Sequence, residues 1–96
     1  MVAYIAGRMH IQHRDWWDEY FAQVPALVAQ HSGNFLVRGG APETLEGHER
    51  LPDAVFVVEF PSKAHALAFW HSAEFAPLIA LRQTGSTLEA MLHDGV

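Results

Sequence analysis

The sequence predicts a ferredoxin-like α+β fold, β-α-β-β-α-β, in which one antiparallel sheet carries its helices on a single face. Three observations predict it. Four segments follow the two-residue alternation or the unbroken apolar run of strands: Met1 to Ile11, Asn34 to Arg38, Ala54 to Phe60 and Ser86 to His93. Two stretches between them, from His13 and from Ser62, repeat apolar residues at helical spacing. Their order along the chain is that of the split βαβ unit, and 96 residues leave room for one domain, 1–96.

In the first strand Ala3, Ile5, Met9 and Ile11 form an apolar face broken only by Gly7, while Tyr4, Ala6, Arg8 and His10 form a mixed one. The first helix, His13 to His31, carries Trp17, Tyr20, Phe21, Val24, Leu27, Val28 and His31 on one stripe. Asp15, Asp18 and Glu19 suit its positive N-terminal end, Gly33 reads as its stop, and Pro25 predicts a kink or break. The second strand closes at Gly39-Gly40. Thr44 to Gly47 reads as a short extended piece, and Glu49 to Asp53 as a polar loop. The Val55–Phe60 run is apolar on both parities, which predicts a central strand with both faces covered. Ser62 is a natural N-cap for a helix to about Ser72, where Ala66, Phe69 and Trp70 share a face. A further helical turn or two starts at Pro77 and stops at Gly85. The last strand alternates Leu88, Ala90 and Leu92 with Thr87, Glu89, Met91 and His93.

Half the residues are apolar and 18% are charged, so the chain can build a core. The formal charge of −5, six Lys+Arg against eleven Asp+Glu, argues against nucleic acid and anionic membranes as partners. No apolar run approaches 18 residues and no signal-peptide layout is present, so the expected location is the cytoplasm. With no cysteine there is no disulfide, thiolate metal site or thiol nucleophile. Seven histidines lack metal-ligand spacing: His65 and His71 are six apart, and no H-x-x-x-H occurs, so neither a metal nor a cofactor is expected. A sheet with helices on one side only leaves an apolar face bare, and a second copy of the chain is its simplest cover.

Six pieces carry a family resemblance: Val24-Pro25-Ala26-Leu27, Phe35-Leu36-Val37-Arg38-Gly39-Gly40, Leu45-Glu46-Gly47, Val57-Val58-Glu59-Phe60-Pro61-Ser62, Phe69-Trp70-His71-Ser72-Ala73-Glu74-Phe75 and Ala80-Leu81-Arg82. In this order and spacing, over nearly the whole chain, they resemble the small bacterial domain-of-unknown-function family numbered 1330. The resemblance implies a dimeric α+β barrel, two chains with their sheets face to face. Proteins of that fold include cofactor-independent monooxygenases, muconolactone-type isomerases, polyketide cyclases, haem-degrading enzymes and ligand sensors, among which fold analogy does not choose. His13 and His71 stand where the resemblance leads one to expect carboxylates.

Candidate site residues follow from charge in a covered sheet. Arg38 and Glu59 match motif positions on strands expected to be neighbours in the order 4-1-3-2, so they could pair, either as a structural ion pair or to anchor a substrate. Arg82 can bind a carboxylate or enolate oxygen, or cap its helix. Tyr20 and Trp70 belong to the core or to a pocket wall. Glu59 and His71 are the candidate proton carriers, with His13 behind them. The expected function is a homodimer that holds a small, partly apolar, anionic or carbonyl-bearing molecule. Cofactor-independent isomerisation, cyclisation or dehydration is the expected chemistry. A non-catalytic sensor is one alternative, and haem or oxygen chemistry with His71 or His31 as the axial ligand is another.

Overall fold

In a computed structural model that describes residues 1–96, the elements are β1 (Ala3–Ile11), α1 (Trp17–Gln30), β2 (Asn34–Gly39), β3 (Ala54–Phe60), α2 (Lys63–Trp70), α3 (Ala76–Gln83) and β4 (Ser86–Asp94). The sheet order is β2-β3-β1-β4 with every neighbour antiparallel, the ferredoxin-like arrangement expected. The short dimension is only 16 Å, against 34 Å in the other two, so one sheet carries one helical layer.

Strand alternation decides which residues meet the helices. Ile5 and Met9 of β1 and Ala54, Val58 and Phe60 of β3 point to the helical side and are buried there. Trp16, Val24 and Val28 of the α1 region close over them, with Phe69 at the end of α2 and Phe75 just before α3. Ser62 caps α2 as expected, its hydroxyl accepting from the His65 amide at 3.2 Å. Helix α1 has no side-chain cap; instead the buried Trp16 indole donates to the His13 carbonyl at 2.8 Å and pins the chain as it enters the helix.

Three expectations need correction. Pro25 does not break α1, which runs through it, because Val24, Leu27 and Val28 on either side are buried and their packing outweighs one missing hydrogen bond. At the helix end it is Ser32, not Gly33, that takes the left-handed conformation (φ 63°), while the amides of Ser32 and Gly33 satisfy the Ala29 and Val28 carbonyls. Gly33 is required for room: a Cβ there would lie 2.5 Å from the Phe60 ring. Thr44 to Gly47 is not extended strand but part of the loop between β2 and β3. That loop is tied back to β1, for the Asp53 carboxylate accepts from the Ile11 amide at 2.7 Å and the Asp53 amide donates to the Met9 carbonyl at 2.8 Å. The Ile11 bond, stronger than the opposing effect of burial, holds the Asp53 carboxyl below the usual range.

The other face of the sheet is bare. Register places Val37, Val57, Ala6 and Met91 in one row across all four strands. A polar row, Asn34, Glu59, Tyr4 and His93, lies on one side of it, and Val55, Arg8 and Glu89 lie on the other. Val37 and Met91 are exposed large apolar residues.

Candidate functional site

Between sheet and helices lies a cavity of about 40 Å³. Its floor is formed by Gly7 of β1 and Ala90 of β4, with the Leu88 side chain lying close over Gly7. Tyr20 and Phe21 of α1, Phe56 of β3, Trp70 and Phe75 wall it with aromatic rings. A second apolar void of about 180 Å³ opens between α2 and the outer strand β4, lined by Ala66, Leu67, Met91 and Leu92. Ile5, Trp70 and Ala90 line both, so the two are neighbours.

Arg82 reaches this region from the last turn of α3. It lies four residues after the buried Leu78, on the same inward stripe, and only 3% of it is exposed. The guanidinium carbon lies 5.9 Å from the Tyr20 ring centre and 6.0 Å from that of Trp70. None of the four ion pairs of the chain includes it, and its Nε is buried without a hydrogen-bond partner. A buried guanidinium therefore stands here without a carboxylate partner, its neighbours being the Tyr20 and Trp70 rings and the Tyr20 hydroxyl. Burial pushes the Tyr20 phenol above its ordinary value, and the nearby Arg82 guanidinium partly opposes the rise. Together Arg82 and the Tyr20 hydroxyl form a donor pair suited to an oxyanion or carboxylate.

The neutral Tyr20 phenol has a consequence at high pH. Its folded pKa lies above its unfolded one, so its contribution to stability is intact below about pH 10 and is lost as pH rises through the folded value. Tyr4 acts in the same sense, its phenol raised by desolvation and by the Glu59 carboxylate opposite. The melting temperature is expected to fall above about pH 10, and Tyr20→Phe to flatten that fall. An unchanged slope in the variant would assign the alkaline loss to other groups.

The other predicted residues are dispersed. Arg38 is exposed, its guanidinium 5.7 Å from the Phe21 ring centre and 5.9 Å from that of Phe35. Glu59 lies on the bare face opposite Tyr4 and Asn34. The expected Arg38–Glu59 pair therefore does not form. A bulge between Phe35 and Val37 shifts the register by one residue, so Arg38 comes opposite Phe56 on the helical face instead of Val55 on the bare one. His71 is exposed at the C-cap of α2, directly after Trp70. His13 packs its ring against Gly85, with Nε2 3.1 Å from the Thr84 carbonyl oxygen. The half-buried His31 ring is engaged with the Leu27 carbonyl through Nδ1 at 3.0 Å. No group of three or more His, Asp or Glu side chains could hold a metal ion, and no helix is long and apolar enough to cross a membrane. Gly7, which lines the cavity, is a position that sequence reasoning did not assign to the candidate site. A glycine inside an otherwise apolar strand face was its signal.

Comparison with solved structures supports the fold. A protein of unknown function from Rhodopseudomonas palustris superposes with a TM-score of 0.80 at 14% identity, over 99% of this chain and 82% of that one. A dimeric ferredoxin-like protein of unknown function from Jannaschia sp. gives 0.68 at 16% identity, over 95% and 98%. SnoaB, a cofactor-independent oxygenase from Streptomyces nogalater, gives 0.63 at 18% identity, over 99% and 93%. At such identities the likeness speaks for the fold alone. No curated protein matches the chain. Residues 2–96 match a family described as a domain of unknown function, DUF1330, and the chain belongs to that family.

Proposed function

We propose that the chain is a homodimeric small-molecule-binding domain whose ligand carries a carboxylate, or a carbonyl group able to become an oxyanion. One observation carries the reading: Arg82 is a buried cation with no carboxylate partner and an unpartnered Nε, set behind Tyr20 and Trp70, which line the apolar cavity that Arg82 itself does not line. Leaving a charge buried and unpaired costs several kcal/mol, and an anionic ligand would offset that cost. Tyr20 supplies a second donor, and Trp70 a wall. Arg38 stands over the outer side of the same aromatic wall, where it adds positive potential near the site.

The same donor pair favours a chemical reading. Arg82 and Tyr20 would stabilise an enolate, and proton transfer without a cofactor, as in isomerisation, cyclisation or dehydration, needs such stabilisation. His71, next to Trp70, is the candidate proton carrier on the cavity side of the sheet. Glu59 faces away from the cavity, so in this reading it serves the dimer face. The dimer itself is supported by the bare apolar row and by the dimeric ferredoxin-like structure of the same fold.

Melting curves with benzoate and hexanoate, each set against its neutral amide, test the reading. The carboxylates are expected to raise the melting temperature of the wild type and the amides to leave it unchanged. Arg82→Met, which keeps the stem and removes the charge, is expected to fold with equal or greater stability and to lose the response. Equal effects of acid and amide, or an undiminished response in Arg82→Met, would overturn the reading.

A further inference from the structure

We propose that the ligand is a flat aromatic acid of two or more fused rings, and that it binds by displacing the Trp70 indole and taking its place beside Arg82. The inference rests on the reading of Arg82 as the anion site and adds the shape of the ligand and its route.

The inner cavity, about 40 Å³, has room for a few waters but is too small for an organic ligand. The outer void, about 180 Å³, is larger, and Trp70 lines both it and the inner one together with Ile5 and Ala90. Trp70 is the largest of the three shared side chains, and moving its ring aside would add the space of the indole to the two voids as one joined space. The joined space has the right lining for a flat ring system. Its floor is Gly7, Leu88 and Ala90, and its walls are the rings of Tyr20 and Phe75. The Trp70 indole already shows what fits, being a flat bicycle set edge to face against Phe75 at 5.4 Å and held 6.0 Å from the Arg82 guanidinium carbon.

Trp70 is also placed to move. It is half-exposed, and its indole N–H has no partner in the chain, unlike that of the buried Trp16. Ala90 is exposed on the outermost strand, so the route between α2 and β4 is open to solvent. An aromatic acid that follows this route replaces the cation–π contact of Trp70 with its own ring. It also brings what the indole lacks, an acidic group for the unpartnered Arg82 nitrogen.

The test uses the whole chain labelled with 5-fluorotryptophan and titrated with 2-naphthoate. Three resonances are expected, for Trp16, Trp17 and Trp70, with Trp70→Phe assigning the third. The Trp70 resonance is expected to shift on binding while that of Trp16 stays. Because the indole competes for the site, Trp70→Ala is expected to bind 2-naphthoate about tenfold more tightly. Ala90→Leu, which narrows the route, is expected to bind it about tenfold less tightly. Weaker binding by Trp70→Ala would mean the indole stacks on the ligand instead of yielding to it, and a still Trp70 resonance in the bound wild type would mean the ring does not move. Either result overturns the inference. If benzoate and hexanoate bind through Arg82 while 2-naphthoate does not, the aromatic route fails and the anion site stands. If no carboxylate binds, both fail.

Discussion

Phe60→Ala is expected to lose about 3–5 kcal/mol of unfolding free energy, a large part of the 5–15 kcal/mol typical of a whole domain. Phe60 is fully buried at the end of β3 and stacks on Phe69 with ring centres 5.6 Å apart. Its neighbours have little to fill the space it would leave. Ala3 is its partner on β1, and Gly33 approaches so closely that even a Cβ would strike the ring. A cavity lined by an alanine and a glycine collapses poorly, which places this truncation toward the costly end of its class. Phe60→Leu keeps most of the volume and is expected to lose only about 1 kcal/mol. Urea unfolding at one fixed protomer concentration measures both, with unchanged slope as the sign of an unchanged native state. A loss under about 1 kcal/mol for Phe60→Ala would mean that the helices close over the gap.

The parts of the fold that were legible are those where local pattern and tertiary demand agree. The alternation in β1 and β4 and the apolar run of β3 each imply a strand, and packing against the helices asks for the same thing. Ser62 caps α2 because no other residue competes for that role. The parts that were not legible depend on contacts between distant segments. Nothing within Asn34 to Gly39 announces a bulge; it is set by how β2 pairs with β3, and it alone decides that Arg38 and Glu59 lie on opposite faces. Gly33 was legible as a glycine that matters, but its reason is the Phe60 ring, nearly thirty positions away. The site divides in the same way. Arg82, Tyr20 and Trp70 come together because each lies on the apolar stripe of its own helix, which helical spacing reveals. Glu59 and His71 stand out in the sequence for chemical capacity, and capacity says nothing about which side of a sheet or helix a residue occupies.

Val57→Lys is expected to abolish self-association while leaving the fold of each chain intact. Val57 lies on β3, one of the two inner strands, and flanks Val37 on one side and Ala6 on the other, with Met91 beyond. This row is the apolar part of the bare face, and polar rows containing Glu59 and Tyr4, and Arg8 and Glu89, border it on either side. In a two-fold dimer the same patch serves both chains, so a residue near the axis meets its own copy. A lysine at that point puts two like charges together in a surface that excludes water. Breaking buried charge balance of this kind costs about 3–5 kcal/mol, which raises Kd by at least about a hundredfold. In a separate chain the same lysine can lie along the sheet with its ammonium in water, so the helical side of the sheet keeps its packing. Sedimentation equilibrium at about 50 µM, well above a micromolar Kd, is expected to give a dimer for the wild type and a monomer for the variant. Their far-ultraviolet circular dichroism is expected to coincide. A monomeric wild type would remove the bare face as an interface, and a variant that remains dimeric would place the contact elsewhere on the surface.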